Sequence, residues 1–359
     1  MRSRTPSKRG RAAMPRQPDT DVQPHHWRSP DERHLPAHFH PALLIELAQA
    51  RDVPEHRLLR HTGLFTDDIV KGKVLISDHQ YRRLLDNVQQ HCQAEELALL
   101  WGRQMLPGHY GPLSTCLQHA PNLAEALTYL HDYRHDLCPL LFPQWWRDSQ
   151  WCYLLWADGG TGRVRPFVAR AMMAAVYGLA RYRTGRTPEW HFLFSQRRPA
   201  NPAAHEVSLG GRVWFGTGVD MMILPLNDLN EPWLDSSTTA LSVARHQLPR
   251  EPVPESLPEV VYHLLMARAE ALPSLEETAG ILGMSAASLK RRLRDCGTHF
   301  QSLCDEVRLH YSLYLSQVLR LGTEAIAERL CNGDRANFRR SFRRWTGMTP
   351  ARYRQWLMP

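Results

Sequence analysis

The last part of this chain, about a hundred of its 359 residues, contains one local pattern twice: a short helix, a tight turn and a second helix. In the first copy, Ser274 and Glu277 have the spacing of a capping box, which opens a helix. Gly283 suits the turn that follows, because glycine adopts left-handed backbone conformations without strain. Ser285 is then a good N-cap for the second helix. The pattern predicts two short helices joined at a large angle.

The second helix of this unit has two faces of different character. Leu289 and Leu293 lie on one side and are expected to pack inward. With about 3.6 residues per turn, the opposite side carries Ala287, Lys290, Arg291 and Arg294. A basic helix that follows a short helix and a tight turn is the arrangement that enters the major groove of double-stranded DNA.

The same pattern returns about fifty residues later. Ile326, Ala327 and Leu330 mark a short helix, residues 331–333 a turn, and Asp334 an N-cap. The helix from 335 to 345 is then expected to have an aromatic inner face and an arginine-rich outer face. The inner residues are Phe338, Phe342 and Trp345, and the outer ones Arg339, Arg340 and Arg343.

Positive charge is concentrated in these two units. Residues 285–294 contain four basic side chains and no acidic one, and residues 335–354 contain seven basic side chains and no acidic one. The whole chain carries a formal net charge of +8. A solvated helix normally mixes the two signs, so the clustering favours an anionic partner over a merely basic surface. Arginine is also well shaped for bidentate contacts to guanine or phosphate.

A long helix is expected between the two units. Apolar residues recur at helical spacing from Phe300 to Leu319. Twenty residues at about 1.5 Å each span roughly 30 Å, close to the roughly 34 Å of one DNA turn. Such a spacer could hold two reading helices in successive major grooves on one side of the duplex.

The rest of the chain contains both helical and strand patterns, and the whole chain divides into four segments. Helices are expected near 94–101, 122–133 and 168–183, and strands at 151–156, 190–194, 213–215 and 221–224. The resulting fold class is an α+β N-terminal domain followed by an all-α domain. The segments are a disordered basic tail (1–36), an α+β regulatory or dimerisation domain (37–235), a proline-rich linker (236–258) and a double helix-turn-helix domain (259–359).

No catalytic, cofactor or metal motif stands out in the sequence. The seven cysteines lack the short spacings of zinc sites and are expected to be free thiols. The histidines at 25, 26, 34, 38 and 40 lie in or beside the tail without carboxylate or thiol partners. There is no P-loop, and no apolar run of the length that a membrane helix needs. These patterns predict a cytoplasmic protein that is not an enzyme, needs no cofactor and has no membrane partner.

The C-terminal motifs resemble those of the AraC/XylS family of transcription regulators. IAERLCNGDRANFRRSFRRWTGMTPARYRQ, residues 326–355, is similar to the family's C-terminal signature, and LGMSAASLKRRLRDCGTHF, residues 282–300, to its first reading unit. HYGPLSTCLQHAPNLAEAL, residues 109–127, and residues 213–229 resemble a regulatory domain common in one branch of the family.

The resemblance implies a DNA-binding transcription regulator of the bacterial nucleoid, usually an activator, that senses an effector or dimerises through its N-terminal domain. Its partners would be promoter or operator DNA, RNA polymerase, a small-molecule effector and a second copy of the chain. One departure is Cys331, where the family's second turn usually opens with glycine. By position, the implied DNA-facing residues are Ala287, Lys290, Arg291, Arg335, Asn337, Arg339 and Arg340, and the basic faces add Arg294, Arg343 and Arg344.

Two other interpretations stay open at this point. One is an enzyme whose basic tail tethers it to nucleic acid, and the other is a ligand-independent repressor or architectural protein whose N-terminal domain only dimerises. Trp145, Trp146, Trp151 and Trp156 would line an effector pocket or simply belong to the core. Arg165, Arg170 and Arg181 are candidates for holding a carboxylate, but the sequence assigns no effector-binding residues.

Overall fold

The structure, a computed structural model, describes residues 27–92, 95–210, 212–249, 253–331 and 334–357. The strands in these residues are β1 (Arg33–Pro36), β2 (Leu75–Ser77), β3 (Leu141–Arg147), β4 (Trp151–Asp158), β5 (His191–Phe194), β6 (Arg212–Phe215) and β7 (Met221–Pro225). The helices before β6 are α1 (His40–Gln49), α2 (Glu55–Leu58), α3 (Thr66–Val70), α4 (Asp78–His91), α5 (Glu96–Met105), α6 (Pro112–His119), α7 (Leu123–Asp132), α8 (Arg134–Leu137), α9 (Arg165–Thr184) and α10 (Ala203–Leu209). The later helices are α11 (Leu226–Asn230), α12 (Thr238–Gln247), α13 (Leu257–Met266), α14 (Leu275–Ile281), α15 (Ala286–Asp295), α16 (Phe300–Leu313), α17 (Thr323–Cys331), α18 (Arg335–Thr346) and α19 (Pro350–Leu357).

A five-stranded sheet with the order β3-β4-β7-β5-β6 organises the fold. Its neighbouring strands are antiparallel except β5 and β6, which are parallel. The four strands expected from the sequence correspond to β4, β5, β6 and β7, and the three expected helices to α5, α7 and α9. This confirms the α+β class of the N-terminal domain and the helical class of the C-terminal one.

The two faces of this sheet are covered by different parts of the chain. Successive side chains of a strand point to opposite faces, and in β4 Cys152 and Leu154 pack against the N-terminal helices. Tyr153 and Leu155 instead belong to the core that contains the C-terminal helices. The sheet is therefore shared. The helices of the N-terminal half (27–249), the regulatory half expected from the sequence, pack on one face, and the helical C-terminal half packs on the other.

The first described residues are ordered, unlike the tail expected over 1–36. β1 pairs antiparallel with β2, and the guanidinium of Arg28 is buried at 3.1 Å from an Asp78 carboxylate oxygen. These long-range contacts compensate for the poor apolar content of residues 27–36, which composition alone does not reveal. Residues 1–26, with the rest of the predicted tail, lie outside the described residues.

Within the segment expected to be a linker, α12 packs against α6, and its N-cap Ser237 accepts a hydrogen bond from the amide of Ala240. Residues 253–255 have no regular secondary structure and Ser256 is extended, as expected for a segment whose prolines disfavour a helix. Cys92, Cys116, Cys138, Cys152, Cys296 and Cys304 are free thiols. None of the helices in the described ranges combines the length and the apolar character that spanning a bilayer requires.

Candidate nucleic-acid interface

The first helix-turn-helix unit consists of α14, a turn at Gly283 and α15. The capping box is present, since the amide of Ser274 donates to Glu277 at 2.7 Å and the amide of Glu277 donates to the Ser274 hydroxyl at 3.1 Å. Gly283 has φ +68°, the left-handed conformation expected of it. Ser285 caps α15 by accepting from the amide of Ser288 at 3.2 Å. The local predictions for this unit are confirmed.

The faces of α15 divide as its sequence suggests. Leu289 and Leu293 are completely buried. The four residues predicted to contact DNA are exposed: Ala287, Lys290, Arg291 and Arg294. Since an apolar core holds the helix from one side only, its basic side is available to a ligand of opposite charge.

The second unit consists of α17, a turn and α18. Cys331 is the last residue of α17, and Asn332 and Gly333 of the turn lie outside the described residues. Asp334 caps α18 by accepting from the amide of Asn337 at 2.8 Å, and Phe338 and Phe342 are buried. The predicted DNA-contacting residues of this unit are exposed: Arg335, Asn337, Arg339, Arg340, Arg343 and Arg344.

Two of these arginines already have acidic partners. Arg335 lies 2.5 Å from Glu324 and Arg344 lies 2.9 Å from Asp305, measured from guanidinium nitrogen to carboxylate oxygen. Both pairs are exposed enough for solvent to screen them, so phosphate can replace the carboxylates at little cost. Arg354 of α19, part of the same basic run, instead donates to the Leu321 carbonyl at 2.5 Å, in the loop that precedes α17.

The spacer between the units is not a single α-helix from 300 to 319, as we expect from the sequence, because its last turn is π-helical. α16 has 14 residues and spans about 21 Å, and a π-helical turn, Tyr314–Val318, continues it. The inner side of α16 is attached to the regulatory half, because His310 lies against Trp146 of β3, with ring centroids 6.5 Å apart. The spacer is thus supported by the sheet.

An ion-pair network connects the regulatory half to this spacer. Arg165, at the start of α9, lies 2.9 Å from Asp220 and 2.8 Å from Glu306 of α16. Burial acts to lower the pKa of Arg165, but the carboxylates of Glu306 and Asp220 raise it overall. Burial also raises the pKa of Glu306, against the effect of Arg165. Isolated charges such as these give no periodic signal, which is why the sequence does not reveal the contact.

Both reading helices are also held at their C-terminal ends by the regulatory half. The carbonyl of Asp295, which ends α15, accepts from His79 at 2.8 Å and from Arg82 at 2.9 Å. At the end of α18, the backbone carbonyl of Trp345 closely approaches Gly218 of the β6–β7 turn. The C-terminal ends of α15 and α18 are thus both in contact with the N-terminal half.

One group outside the interface has donors suited to a metal ion. Glu255, Glu259 and His263 place ligand atoms within 4.8 Å of one another. The guanidinium of Arg134 contacts both carboxylates, at 2.8 Å from Glu255 and closer still to Glu259. Because the Arg134 guanidinium already pairs with both carboxylates, the group forms an ion-pair network between α8 and the start of α13.

Comparisons with known proteins agree with this geometry. Residues 53–233 match the arabinose-binding N-terminal domain of AraC transcription regulators, and residues 278–355 match a helix-turn-helix domain. The chain is 27% identical over 294 residues to the ornithine utilization regulator of Pseudomonas aeruginosa. The aligned region covers 80% of this chain and 86% of that protein. It is 33% identical over 82 residues to the HTH-type transcriptional regulator VqsM of the same species, covering 23% of this chain and 25% of that protein.

Among solved structures, the transcriptional regulator CdpR from Pseudomonas aeruginosa is similar over 88% of this chain and 97% of its own, at 20% identity and a TM-score of 0.44. The family assignment depends on the two sequence matches, of which the first spans the regulatory half and the second both reading helices. The chain belongs to the AraC family and is a DNA-binding transcription regulator with a helix-turn-helix domain.

Proposed function

We propose that this regulator is an activator controlled by a small-molecule effector, and that α15 and α18 bind adjacent major grooves of its operator. The observation that supports DNA contact by these two helices is the exposure of every predicted contact residue, while their apolar faces are buried. Lysine and arginine side chains on such a surface attract the phosphates, and arginine also recognises guanine edges.

Replacement of Arg340 tests the assignment of α18. We expect Arg340→Ala to weaken specific binding by about 1–3 kcal/mol, because one contact to a base or phosphate is lost. The probe is a duplex selected from random-sequence DNA by the full-length protein, and the readout is the midpoint of a gel-shift titration at fixed salt. Since Arg340 is exposed, the circular dichroism spectrum should stay unchanged.

Arg198→Ala is the matched control, since Arg198 is also an exposed arginine but lies in the regulatory half. It should bind DNA as the unmodified protein does. Binding of both proteins should weaken steeply as salt rises, because several phosphates are neutralised. A gel-shift midpoint that Arg340→Ala leaves in place, or a flat salt response, would contradict the assignment.

The domain division is part of the same proposal: residues 37–235 regulate, and residues 259–359 bind DNA on the bacterial chromosome. RNA polymerase and a second copy of the chain are the proposed protein partners. The relative named for ornithine utilization supports a small metabolite as effector. In a transcription assay with purified RNA polymerase, L-ornithine and other amino acids are therefore the first compounds to test.

A ligand-independent repressor or architectural protein is the alternative. It shares all the exposed residues of α15 and α18, so DNA binding alone does not separate the two. An activator makes more transcript in that assay, and its operator affinity or transcript level changes with effector. Transcription that falls on addition of the protein, and that no compound alters, would favour the alternative.

A further inference from the structure

A cluster of polar side chains lies inside the regulatory half, covered by α10. α9 contributes Arg170, the residues after β5 contribute Gln196, and α10 contributes His205. Arg170 is 9% exposed and His205 is 0% exposed. One guanidinium nitrogen of Arg170 donates to the Gln196 side-chain oxygen at 2.5 Å. The cluster thus places a buried cation and two neutral polar groups together.

Much of the hydrogen-bonding capacity of this cluster is unused. Among the described residues, neither Arg170 Nε nor Gln196 Nε2 has a hydrogen-bond partner, although both atoms are buried. The two ring nitrogens of His205 are buried as well and form no hydrogen bond of normal geometry, although the ring interacts with the backbone of Asn201. Buried donors without acceptors cost free energy, so such groups are usually satisfied by water or by a ligand.

Aromatic side chains form the walls around these groups. The His205 ring lies 5.5 Å from Phe194 and 5.0 Å from Phe215, between centroids, in edge-to-face geometry. The two phenylalanines stack on each other at 5.6 Å. Apolar walls with a few convergent polar groups are typical of sites for small organic molecules.

The charges of the cluster indicate which molecule fits. Glu95, just before α5, has a buried carboxylate oxygen without a hydrogen-bond partner in the described structure. The start of α5 lies beside the segment that leads into α10, since the Asn201 side chain donates to Glu96 at 3.2 Å. Burial lowers the pKa of Arg170, and the negative charge of Glu95 opposes this effect. Burial and Arg170 lower the pKa of His205 to about 4, which leaves this ring neutral at pH 7. Unpartnered donors together with an unpartnered carboxylate oxygen match the two charged groups of a zwitterion.

We propose that Arg170, Gln196, His205 and Glu95 form the effector site, and that its ligand is a small amino acid. Arg170 and Gln196 would donate to the ligand carboxylate, and Glu95 would accept from its ammonium group. The ligand would enter when α10 moves, since this seven-residue helix carries His205 over the cluster. The proposal rests on the effector control proposed above.

Three matched trios of compounds test the ligand class on the full-length protein. They are L-norvaline with pentanoate and butylamine, L-phenylalanine with 3-phenylpropanoate and 2-phenylethylamine, and L-ornithine with 5-aminopentanoate and 1,4-diaminobutane. Each trio compares an amino acid with the same molecule lacking its α-amino group or its carboxylate. We expect at least one amino acid to raise the Tm and bind in calorimetry, its deaminated acid to bind more weakly, and its amine not to bind.

Arg170→Met tests the site. It should weaken binding of that amino acid at least about tenfold, because a charge-assisted contact to the carboxylate is lost. Without ligand we expect its Tm to fall, because Glu95 loses a nearby cation and Gln196 a donor, so binding is compared only once a native circular dichroism spectrum shows that the variant is folded. Gln196→Leu keeps the arginine and should also weaken binding. Arg183→Met is the control, because Arg183 is another buried arginine of α9 but lies over the Trp233 ring.

The possible results distinguish a wrong effector site from a wrong proposal of effector control. If no amino acid binds, the cluster holds only water and the proposal is wrong. If Arg170→Met and Gln196→Leu respond like the unmodified protein, the effector site lies elsewhere and effector control survives. If an amino acid binds through Arg170 but changes neither operator affinity nor transcription, the site stands and the proposed effector control fails.

Discussion

Buried histidines link the stability of this protein to pH. His40 and His310 are each 1% exposed, and burial lowers the pKa of His40 to about 4 and that of His310 to about 3. Arg165 contributes to the shift of His310. In the unfolded chain these rings take up protons below about pH 6.5, whereas in the folded chain they do so only near the lowered values. Stability is therefore lost as the pH falls below about 6.5.

His310→Gln should flatten this pH dependence. Each buried histidine contributes up to about 1.4 kcal/mol per pH unit between its folded and unfolded pKa values, and glutamine cannot titrate. Urea unfolding at pH 6.5, 5.5 and 4.5 measures the slope for the unmodified protein, for His310→Gln and for the exposed control His246→Gln. An equal slope in all three would show that His310 does not remain neutral in the folded protein.

At the scale of single residues, a contact can be predicted from the sequence where its physical cause is local. The caps at Ser274, Ser285 and Asp334 depend on atoms three residues away, so residue type and spacing are sufficient to predict them. The partner of Arg165 is 141 positions distant along the chain, as the numbers of Arg165 and Glu306 give 306 − 165 = 141. No local pattern encodes such a pair.

Among the elements, the strand β3 is not predicted from the sequence. This strand contains Pro143, and proline argues against a strand because it cannot donate to the ladder. β3 is an edge strand whose only neighbour is β4, where the lost donor is tolerated. The same strand carries Trp145 and Trp146, for which the sequence allows two roles, lining an effector pocket or packing in the core. Trp146 is 4% exposed and packs on Tyr314, so it belongs to the core between the two halves.

The β6–β7 turn offers a test of how the elements fit together. A Cβ atom at Gly218 would lie 2.2 Å from the Trp345 carbonyl oxygen and 2.9 Å from Thr346 Cα, and Gly218 has φ +76°. We expect Gly218→Ala to destabilise the protein by about 1–3 kcal/mol and to loosen the end of α18. Urea unfolding measures the first effect, and hydrogen exchange of α18 the second.

Gly216→Ala is the matched control within the same turn. Gly216 also has a left-handed backbone, with φ +70°, but a Cβ atom there would meet nothing within 4 Å. The difference between the two variants therefore isolates the contact with α18. If both variants lose the same stability and α18 exchanges alike in both, the turn does not support this helix.

On the scale of the whole molecule, the two halves share one core through the sheet. The apolar run of β4 indicates a strand buried on both faces, yet nothing in it says what covers the second face. The structure covers that face with the C-terminal helices, so that Phe142 of β3 meets Tyr262 of α13 at 5.1 Å between ring centroids. The architecture of each half is thus predictable from local patterns, and their association is not.

Separation of the halves should expose this shared core. We expect the fragment 255–359 to fold and bind DNA, but with a lower Tm than the full-length protein and with affinity for an apolar dye, because its sheet-facing side chains become exposed. Circular dichroism melts and dye fluorescence measure both effects. An unfolded fragment would contradict the domain division, and a fragment as stable as the whole protein would contradict the shared core.

Joint binding of adjacent major grooves by α15 and α18 is tested most directly by the spacing of the two sequence elements that the full-length protein recognises. If α15 and α18 enter adjacent major grooves, DNA selected from random sequence should contain two protected elements about 10 base pairs apart. Insertion of about 5 base pairs between them should then abolish tight binding, because the second element rotates to the far side of the duplex. A single protected element, or binding that the insertion leaves unchanged, would contradict joint reading by the two helices.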